Sequence, residues 1–316
     1  MSTNTMMSSG NTEVNVNALP EHLREHVPPK KMRAKKKRVN RSLGGDFFVI
    51  FFLVIMALFM GVPLYYSIIN AFKPLNELFI FPPRFYVVQP TLTNFRMVFD
   101  LASDLWVPFS RYVFNTVFIS FAGTFGNLIL SSLAAYALAK IDFPGNKFFF
   151  QVVQKSLMFS TAFTGTIVYL IVAWLGWMDS YLAVIVPSFA SSIGLYLMKQ
   201  FMDSNVTTAI LESARLDGAK EFRIFWTIAM PMVKPAWLTL ITTSFQGLWQ
   251  MGGSAYIYSE QLKTINYAIG QITSVGVART GVAAAGTVFI MIVPIIVFVV
   301  SQSKIIETMG TSGMKD

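Results

Sequence analysis

Glu212-Ser213-Ala214-Arg215-Leu216-Asp217-Gly218, followed after nine residues by Ile228-Ala229-Met230-Pro231, falls in a polar interval of an otherwise apolar chain. The interval covers about residues 201–235 and is far longer than a turn between two apolar stretches needs. Its residues are mostly helix formers, so a structured segment is expected. A first helix should run from about Thr207 to Leu216, with Thr208 as N-cap and Asp217-Gly218 as the turn that ends it. A second should run from Lys220 to Met230, where Pro231 stops it or tilts it into the next apolar stretch. Within it Phe222, Phe225, Trp226 and Ala229 recur at i, i+3, i+4 and i+7, one apolar stripe opposed by Lys220, Glu221 and Arg223. Such a helix suits a position flat along a bilayer surface. The first helix sets small Ser213 and Ala214 beside charged Glu212, Arg215 and Asp217, which suits insertion into a protein groove. On composition alone, an interfacial helix pair without a partner is an equal reading.

The rest of the chain supplies the bilayer. Of its 316 residues 54% are hydrophobic and 13% charged, with a mean hydropathy of +0.54, more apolar than one soluble core absorbs. The apolar residues gather in stretches of roughly 20, the length a helix needs to cross about 30 Å of hydrocarbon. They do not form the alternating segments of a barrel. The fold class expected is therefore all-α membrane protein. Its six transmembrane helices are placed at about Phe47–Phe72, Phe114–Leu138, Ser156–Trp174, Tyr181–Met198, Ala236–Met251 and Ala283–Ser301. The absence of cysteine excludes disulfides, thiolate metal sites and cysteine nucleophiles.

The net charge of +9 is explained by position. Lys30, Lys31, Arg33, Lys35, Lys36, Lys37, Arg38 and Arg41 crowd just before the first span, where the positive-inside rule puts charge on a cytoplasmic flank. Anionic lipid headgroups would suit the same cluster; nucleic acid would not, since no aromatic residue interleaves it. Three regions follow. Residues 1–44 form a disordered basic cytoplasmic tail, 45–302 the six-helix domain with its long loop at about 201–235, and 303–316 a cytoplasmic C-terminal tail. The first apolar stretch is too long for the core of a signal peptide. Six spans return the chain to the cytoplasm, and Lys140, Lys147, Arg215, Lys220, Arg223, Lys234, Lys304 and Lys315 all fall on that side. Lys73, Arg84, Arg96, Arg111, Lys263 and Arg279 dilute the bias in the outward loops. The first of those loops, about Lys73 to Ser110, is rich in proline and aromatics and suits an ordered cap on the membrane surface.

The spacing in the polar interval closely resembles the cytoplasmic coupling loop of ABC importer permeases. That pattern reads Glu-Ala-Ala, three residues, Gly, nine residues, Ile, one residue, Leu-Pro. Glu212, Ala214, Gly218, Ile228 and Pro231 match it, while Ser213 stands for the second-position Ala and Met230 for Leu. The resemblance extends along the membrane region and is greatest to the carbohydrate-importer, maltose-transporter type of permease. Phe72-Lys73-Pro74, Phe81-Pro82-Pro83, Pro90 to Phe95, Phe114-Asn115-Thr116 and Phe143-Pro144-Gly145 look like that branch. Gly310, Gly313 and Lys315 resemble the family's closing Gly-x-x-x-Gly-x-x-Lys with one residue fewer in each interval.

The resemblance implies a permease subunit of an ATP-driven sugar or oligosaccharide importer in the bacterial cytoplasmic membrane, working by alternating access. Its implied partners are a second permease subunit of different sequence, two cytosolic ATPase subunits and an extracellular or periplasmic solute-binding protein. ATP and Mg would sit on the ATPase. This chain has no Gly-Lys dipeptide, hence no phosphate-cradling loop of the Gly-x-x-x-x-Gly-Lys type, and no catalytic residue or metal site is expected in it. Glu212, Ser213, Ala214, Arg215, Asp217, Gly218, Ile228 and Pro231 are the residues implied in ATPase coupling. The alternatives are a permease for a non-sugar solute, or a self-sufficient channel or membrane enzyme. The last two predict clustered ionisable residues in the spans, and apart from Lys155, placed to snorkel, these spans are nearly free of them.

A polar path for substrate is a separate expectation. Asn115, Gln246, Trp249 and Gln250 are its candidates, with Asn127, Thr161 and Thr164 behind them, because an aromatic face beside amides suits a sugar. Ordinary helix-packing polarity is the competing reading. His22-Leu23-Arg24-Glu25-His26 matches a His-x-x-Glu-His zinc pattern, but it precedes the basic run with no third ligand in view.

Overall fold

A computed structural model describes residues 43–103, 107–159, 161–252, 255–274 and 276–312. The expected basic tail, the His22–His26 segment, the side chain of Thr161 and the final Gly313 and Lys315 lie outside the described residues. Twelve helices carry the description: α1 Leu43–Phe72, α2 Thr93–Ser103, α3 Phe109–Lys140, α4 Asn146–Ser156, α5 Thr161–Trp174, α6 Leu182–Ser188, α7 Ser192–Asn205, α8 Thr208–Leu216, α9 Glu221–Met232, α10 Lys234–Trp249, α11 Ile265–Thr273 and α12 Thr280–Ser312. No strand occurs among the described residues. In hydrocarbon every backbone polar group needs an internal partner, and helices provide one.

The chain divides into two compact units, Met1–Phe59 and Met60–Asp316. The described part of the first is the N-terminal portion of α1, whose Phe47, Phe48, Leu58 and Phe59 are exposed. In the second unit α3 packs against α7 and α10, α10 against α12, and α11 against α12. The core lies between these helices, while Ile292, Ile296, Phe298 and Val300 of α12 point outward. Exposed side chains of this kind are what a lipid-facing surface requires.

Among the described residues four segments are long and apolar enough to cross a membrane: Gly45–Phe72, Phe109–Lys140, Leu182–Asn205 and Thr280–Ile305. The other two expected spans differ. The third was placed at Ser156–Trp174, yet α4 ends at Ser156 and α5 begins only at Thr161. The 14 residues of α5 rise about 21 Å, short of the roughly 30 Å of hydrocarbon. The fifth corresponds to α10, which qualifies only together with α9, across a bend of 84°. The fourth is broken, because Pro187 and the extended Ser191 separate α6 from α7. Ser191 recaps the chain there, its hydroxyl accepting from the Gly194 N–H at 3.0 Å. At the C-terminus α12 continues through residues 303–312, where a tail had been expected.

The loop from Lys73 to Ser110 is ordered from within over its first part, Lys73 to Asn94. Glu77 accepts the N–H groups of Val88 and Gln89 at 3.1 and 2.8 Å, and buried Lys73 donates to the Arg84 carbonyl at 2.5 Å. Asn94 at the start of α2 donates to the Ala71 and Lys73 carbonyls at 3.0 and 2.8 Å.

Candidate functional site

The polar interval folds as two helices joined by a tight turn. Helix α8 spans Thr208–Leu216, and Thr207, rather than Thr208, occupies its N-cap position without a side-chain cap bond. Its C-terminus is a Schellman turn: Ala219 N–H reaches the Ala214 carbonyl at 3.0 Å and Gly218 N–H the Arg215 carbonyl at 3.0 Å. That turn requires Gly218 in the left-handed region, and its φ is +78°.

The second helix does not stop at Pro231. After one α-turn at Glu221–Ile224 the chain widens into a π-turn over Phe225–Ala229, with Met230 N–H donating to the Phe225 carbonyl five residues back. The wider turn absorbs Pro231, which has no N–H to give, and the helix continues to Met232. The break comes at Val233, and the Trp237 indole N–H satisfies the Met230 carbonyl there at 3.1 Å. The π register also divides the expected stripe. Ile224, Phe225 and Ala229 are buried, whereas Phe222 and Trp226 stay exposed as a T-shaped pair at 6.2 Å.

One apolar cluster seats the whole interval on the membrane helices. Leu211 of α8 and Ile224, Phe225, Ala229 and Met230 of α9 join Tyr136 of α3, Met198 and Met202 of α7, and Leu240 of α10. Leu211 is 1% exposed while Leu216, one and a half turns on, is 89% exposed. Helix α8 therefore presents Glu212, Ser213, Leu216, Asp217 and Gly218 outward. Ala214 and Ile228 pack partly against the cluster, and Pro231 is exposed. Arg215 is exposed as well, and its Nε donates to Glu221 at 2.6 Å. The other Glu221 oxygen accepts from the Tyr136 hydroxyl at 2.8 Å.

The candidate substrate residues separate into two groups. Asn115 is fully buried, with both amide hydrogens given to the Gln261 and Lys263 carbonyls at 2.8 Å and its oxygen accepting from Tyr181 at 2.7 Å. Trp249 is also buried, stacked on Phe245 at 5.4 Å, its indole N–H donating to the Ile290 carbonyl at 2.9 Å. Both side chains are thus committed to holding helices together. Gln246 and Gln250 behave differently and line a cavity of about 520 Å³ with Asn266, Thr287 and Pro294. Asn127 is held by Ser244 and Ser131 at 2.9 and 2.8 Å and borders a second cavity of about 390 Å³ beside the α6–α7 break. Thr164 borders a third, largely apolar one between α5 and α6.

Sequence reasoning missed the ties between distant loops. Asp179, at φ +56°, accepts the N–H groups of Tyr258 and Ser259 at 2.9 and 2.8 Å and the Ser259 hydroxyl. The Ser259 hydroxyl and these two amides hold the Asp179 carboxyl below the usual carboxylate range. Glu260 links Tyr112 of α3, at 2.7 Å, to Lys263, at 2.9 Å. Asp179 and Ser259 lie 80 residues apart and Tyr112 and Glu260 148, and no local pattern in the chain announces these two ties.

Comparison with known proteins bears on the same segments. The profile of the family described as binding-protein-dependent transport system inner membrane component matches residues 127–307, more than half of the chain. Protein LplC of Bacillus subtilis is 32% identical over 202 residues, covering 62% of this chain and 64% of that protein. The arabinooligosaccharides transport system permease protein AraQ of Halalkalibacterium halodurans is 26% identical over 272 residues, 84% of this chain and 93% of AraQ. The sn-glycerol-3-phosphate transport system permease protein UgpE of Yersinia enterocolitica is 28% identical over 219 residues, 67% and 75% of the two chains. A chain from the crystal structure of a bacterial ABC transporter involved in the import of the acidic polysaccharide alginate has the same fold, with a TM-score of 0.70 and 21% identity over 83% of this chain and 98% of that one. The family match includes the turn at Gly218, the π-turn before Pro231 and the bend at Val233, and the chain belongs to the family of binding-protein-dependent transport system inner membrane components.

Proposed function

We propose that this chain is the permease subunit of an ATP-driven importer for a sugar or oligosaccharide, and that α8 is where a cytosolic ATPase docks. The observation that carries the reading is the state of α8: an exposed helix face, seated by Leu211 and closed by a Schellman turn, inside the stretch the family match covers. An isolated nine-residue helix is marginal in water, so its order comes from the cluster beneath it. An ordered face that leaves Leu216 bare is suited to a partner's groove.

Under this reading the chain crosses the membrane six times, with α5 and α10 as the short spans and both termini cytoplasmic. Two ATPase subunits carry the ATP, the Mg and the hydrolysis, and a second permease and a solute-binding protein complete the assembly. Closure of the ATPase pair would draw the α8 helices of the two permeases together. The cluster joining α8 to α3, α7 and α10 would then tilt the spans between inward- and outward-open arrangements. The cavity lined by Gln246 and Gln250 is the stretch of polar wall left for a passing solute once Asn115 and Trp249 are spoken for.

The relatives named for arabinooligosaccharides support the sugar reading. The relative named for sn-glycerol-3-phosphate favours a second one, a small phosphorylated polyol. The ligand retained by the solute-binding protein that works with this chain separates the two.

The docking assignment is tested by Glu212→Lys, which reverses a charge on the exposed face. The expected result is at least an about tenfold drop in recovery of a nucleotide-binding ATPase with the tagged chain, with membrane insertion unchanged. Wild-type recovery of that ATPase, together with undiminished solute uptake, would remove α8 from the docking site.

A further inference from the structure

The seat beneath α8 is apolar, and apolar contact has little directional preference. Leu211, Ala214 and Ala219 hold the helix down but leave it free to slide or swivel on the cluster. Two polar bonds run across this seat and remove that freedom. Arg215 Nε donates to Glu221 Oε1 at 2.6 Å, and the Tyr136 hydroxyl donates to Glu221 Oε2 at 2.8 Å. Both oxygens of one carboxylate are thereby engaged, one by the docking helix and one by the last turns of α3. Tyr136 itself is 4% exposed and set against Phe225 at 5.5 Å, so its hydroxyl has a fixed position to pull against.

The arrangement is better suited to orientation than to stability. The Arg215 and Glu221 side chains are 40% and 46% exposed, and ion pairs so open to solvent contribute little to folding. A charge-assisted bond at 2.6 Å still fixes distance and angle. One of Arg215's five N–H donors is engaged in doing so. Arg215 lies in the docking segment by sequence, and its Nε is turned along the chain toward Glu221.

From this geometry we infer that Arg215, Glu221 and Tyr136 form a strut that fastens α8 to α3, so that a pull on the docking helix moves the second span with it as one body. The inference rests on the docking role proposed for α8. Arg215, Glu221 and Tyr136 are positioning residues in it, and none of them meets the ATPase or the solute. Helix α3 is 32 residues long, about 48 Å, well beyond the roughly 30 Å of hydrocarbon. Its surplus length carries Tyr136 to the level of the polar interval, where a lever arm would be held.

The chain contains no cysteine, which allows the test to be made on the full protein with two introduced labels. Spin labels at Ala209→Cys on α8 and Lys140→Cys at the end of α3 report their separation by pulsed electron resonance, in nanodiscs and in the complex with the co-purifying ATPase. A single narrow distance is expected in the otherwise unsubstituted chain, with and without ATP. Tyr136→Phe keeps the ring and loses only the hydroxyl, and Glu221→Gln keeps the shape and loses the charge. Each should broaden the distribution about twofold while ATPase recovery stays at the unsubstituted level. The exchange Arg215→Glu with Glu221→Arg should narrow it again, since the pair is re-formed and the phenol can accept from the new guanidinium.

An unchanged width in Tyr136→Phe and Glu221→Gln overturns the strut and leaves the docking role standing. Loss of ATPase recovery in Glu221→Gln with an unchanged width also overturns it, by placing the pair in the docking contact. If no nucleotide-binding ATPase accompanies even the unsubstituted chain, the docking role fails, and the transmitted pull fails with it.

Discussion

Gly218 shows how much one residue can hold. At φ +78° it reverses the chain after α8, and both Schellman bonds depend on it. A Cβ there would meet no atom within 4 Å, so the penalty of a substitution is conformational and not steric. Gly218→Val should therefore lower stability by about 1–2 kcal/mol and reduce uptake, whereas Gly218→Asn should be nearly neutral, because asparagine tolerates the left-handed region. Thermal unfolding in detergent beside an uptake assay reads both. Equal behaviour of the two variants would show that the turn does not depend on its backbone conformation.

Asp179 makes a prediction of a different kind at the same scale. Its carboxyl is held below the usual range by the Ser259 hydroxyl and the Ser259 and Tyr258 N–H groups. A depressed pKa means that the stabilisation is complete above the unfolded value, about 4, and is lost as pH falls through the folded value. The difference in melting temperature between the wild type and Asp179→Asn should thus stay constant from about pH 5 to 8 and shrink below about pH 4. A difference that grows on acidification would contradict the assignment.

At the scale of elements, proline creates needs that other helices meet. Pro294 sits inside α12 and has no N–H for the Ile290 carbonyl one turn earlier. The Trp249 indole N–H, from the end of α10, donates to that carbonyl at 2.9 Å. Trp249→Phe should cost about 1–2 kcal/mol, since a partly buried carbonyl is left without a donor. Pro294→Ala supplies the missing N–H within the helix, so the double substitution should cost less than the sum of the singles. A double-mutant cycle by denaturant unfolding gives the coupling, and strict additivity would separate the tryptophan from the proline. The same logic governs α9, where the π-turn before Pro231 divides the expected stripe and leaves Ile224, Phe225 and Ala229 buried. A 3.6-residue period drawn through Phe222 and Trp226 could not anticipate that division, because the repeat length itself changes within the helix.

At the scale of the whole molecule, the topology proposed here puts the polar interval and the loop between α10 and α11 on opposite sides of the membrane. A single cysteine in place of Lys220 should react with an impermeant maleimide only from the cytoplasmic face, and one in place of Gln261 only from the outer face. Labelling of both from one side would require a different number of spans. Several features were legible in the chain before any coordinates. The apolar runs follow from the length a helix needs in hydrocarbon, and the helix that ends at Asp217-Gly218 follows from capping chemistry, because both are local properties of contiguous residues. The spacing around Glu212 and Pro231 was legible through its resemblance to the coupling loop of importer permeases.

Side chains that serve the fold and side chains left free for a ligand are of the same types, and the sequence does not distinguish them. In the sequence Asn115 and Trp249 are indistinguishable from Gln246 and Gln250, and only their partners at Gln261, Lys263, Tyr181 and Ile290 show that they are satisfied within the fold. Nothing in the sequence announces that Arg215 bonds Glu221, whose other oxygen Tyr136 reaches. The local sequence determined where the long apolar helices lie and where α8 ends, since hydrocarbon crossing and capping are set by contiguous residues. Tertiary structure alone decided which polar groups are already satisfied, since that depends on carbonyls and carboxylates up to about 150 residues away meeting in one place.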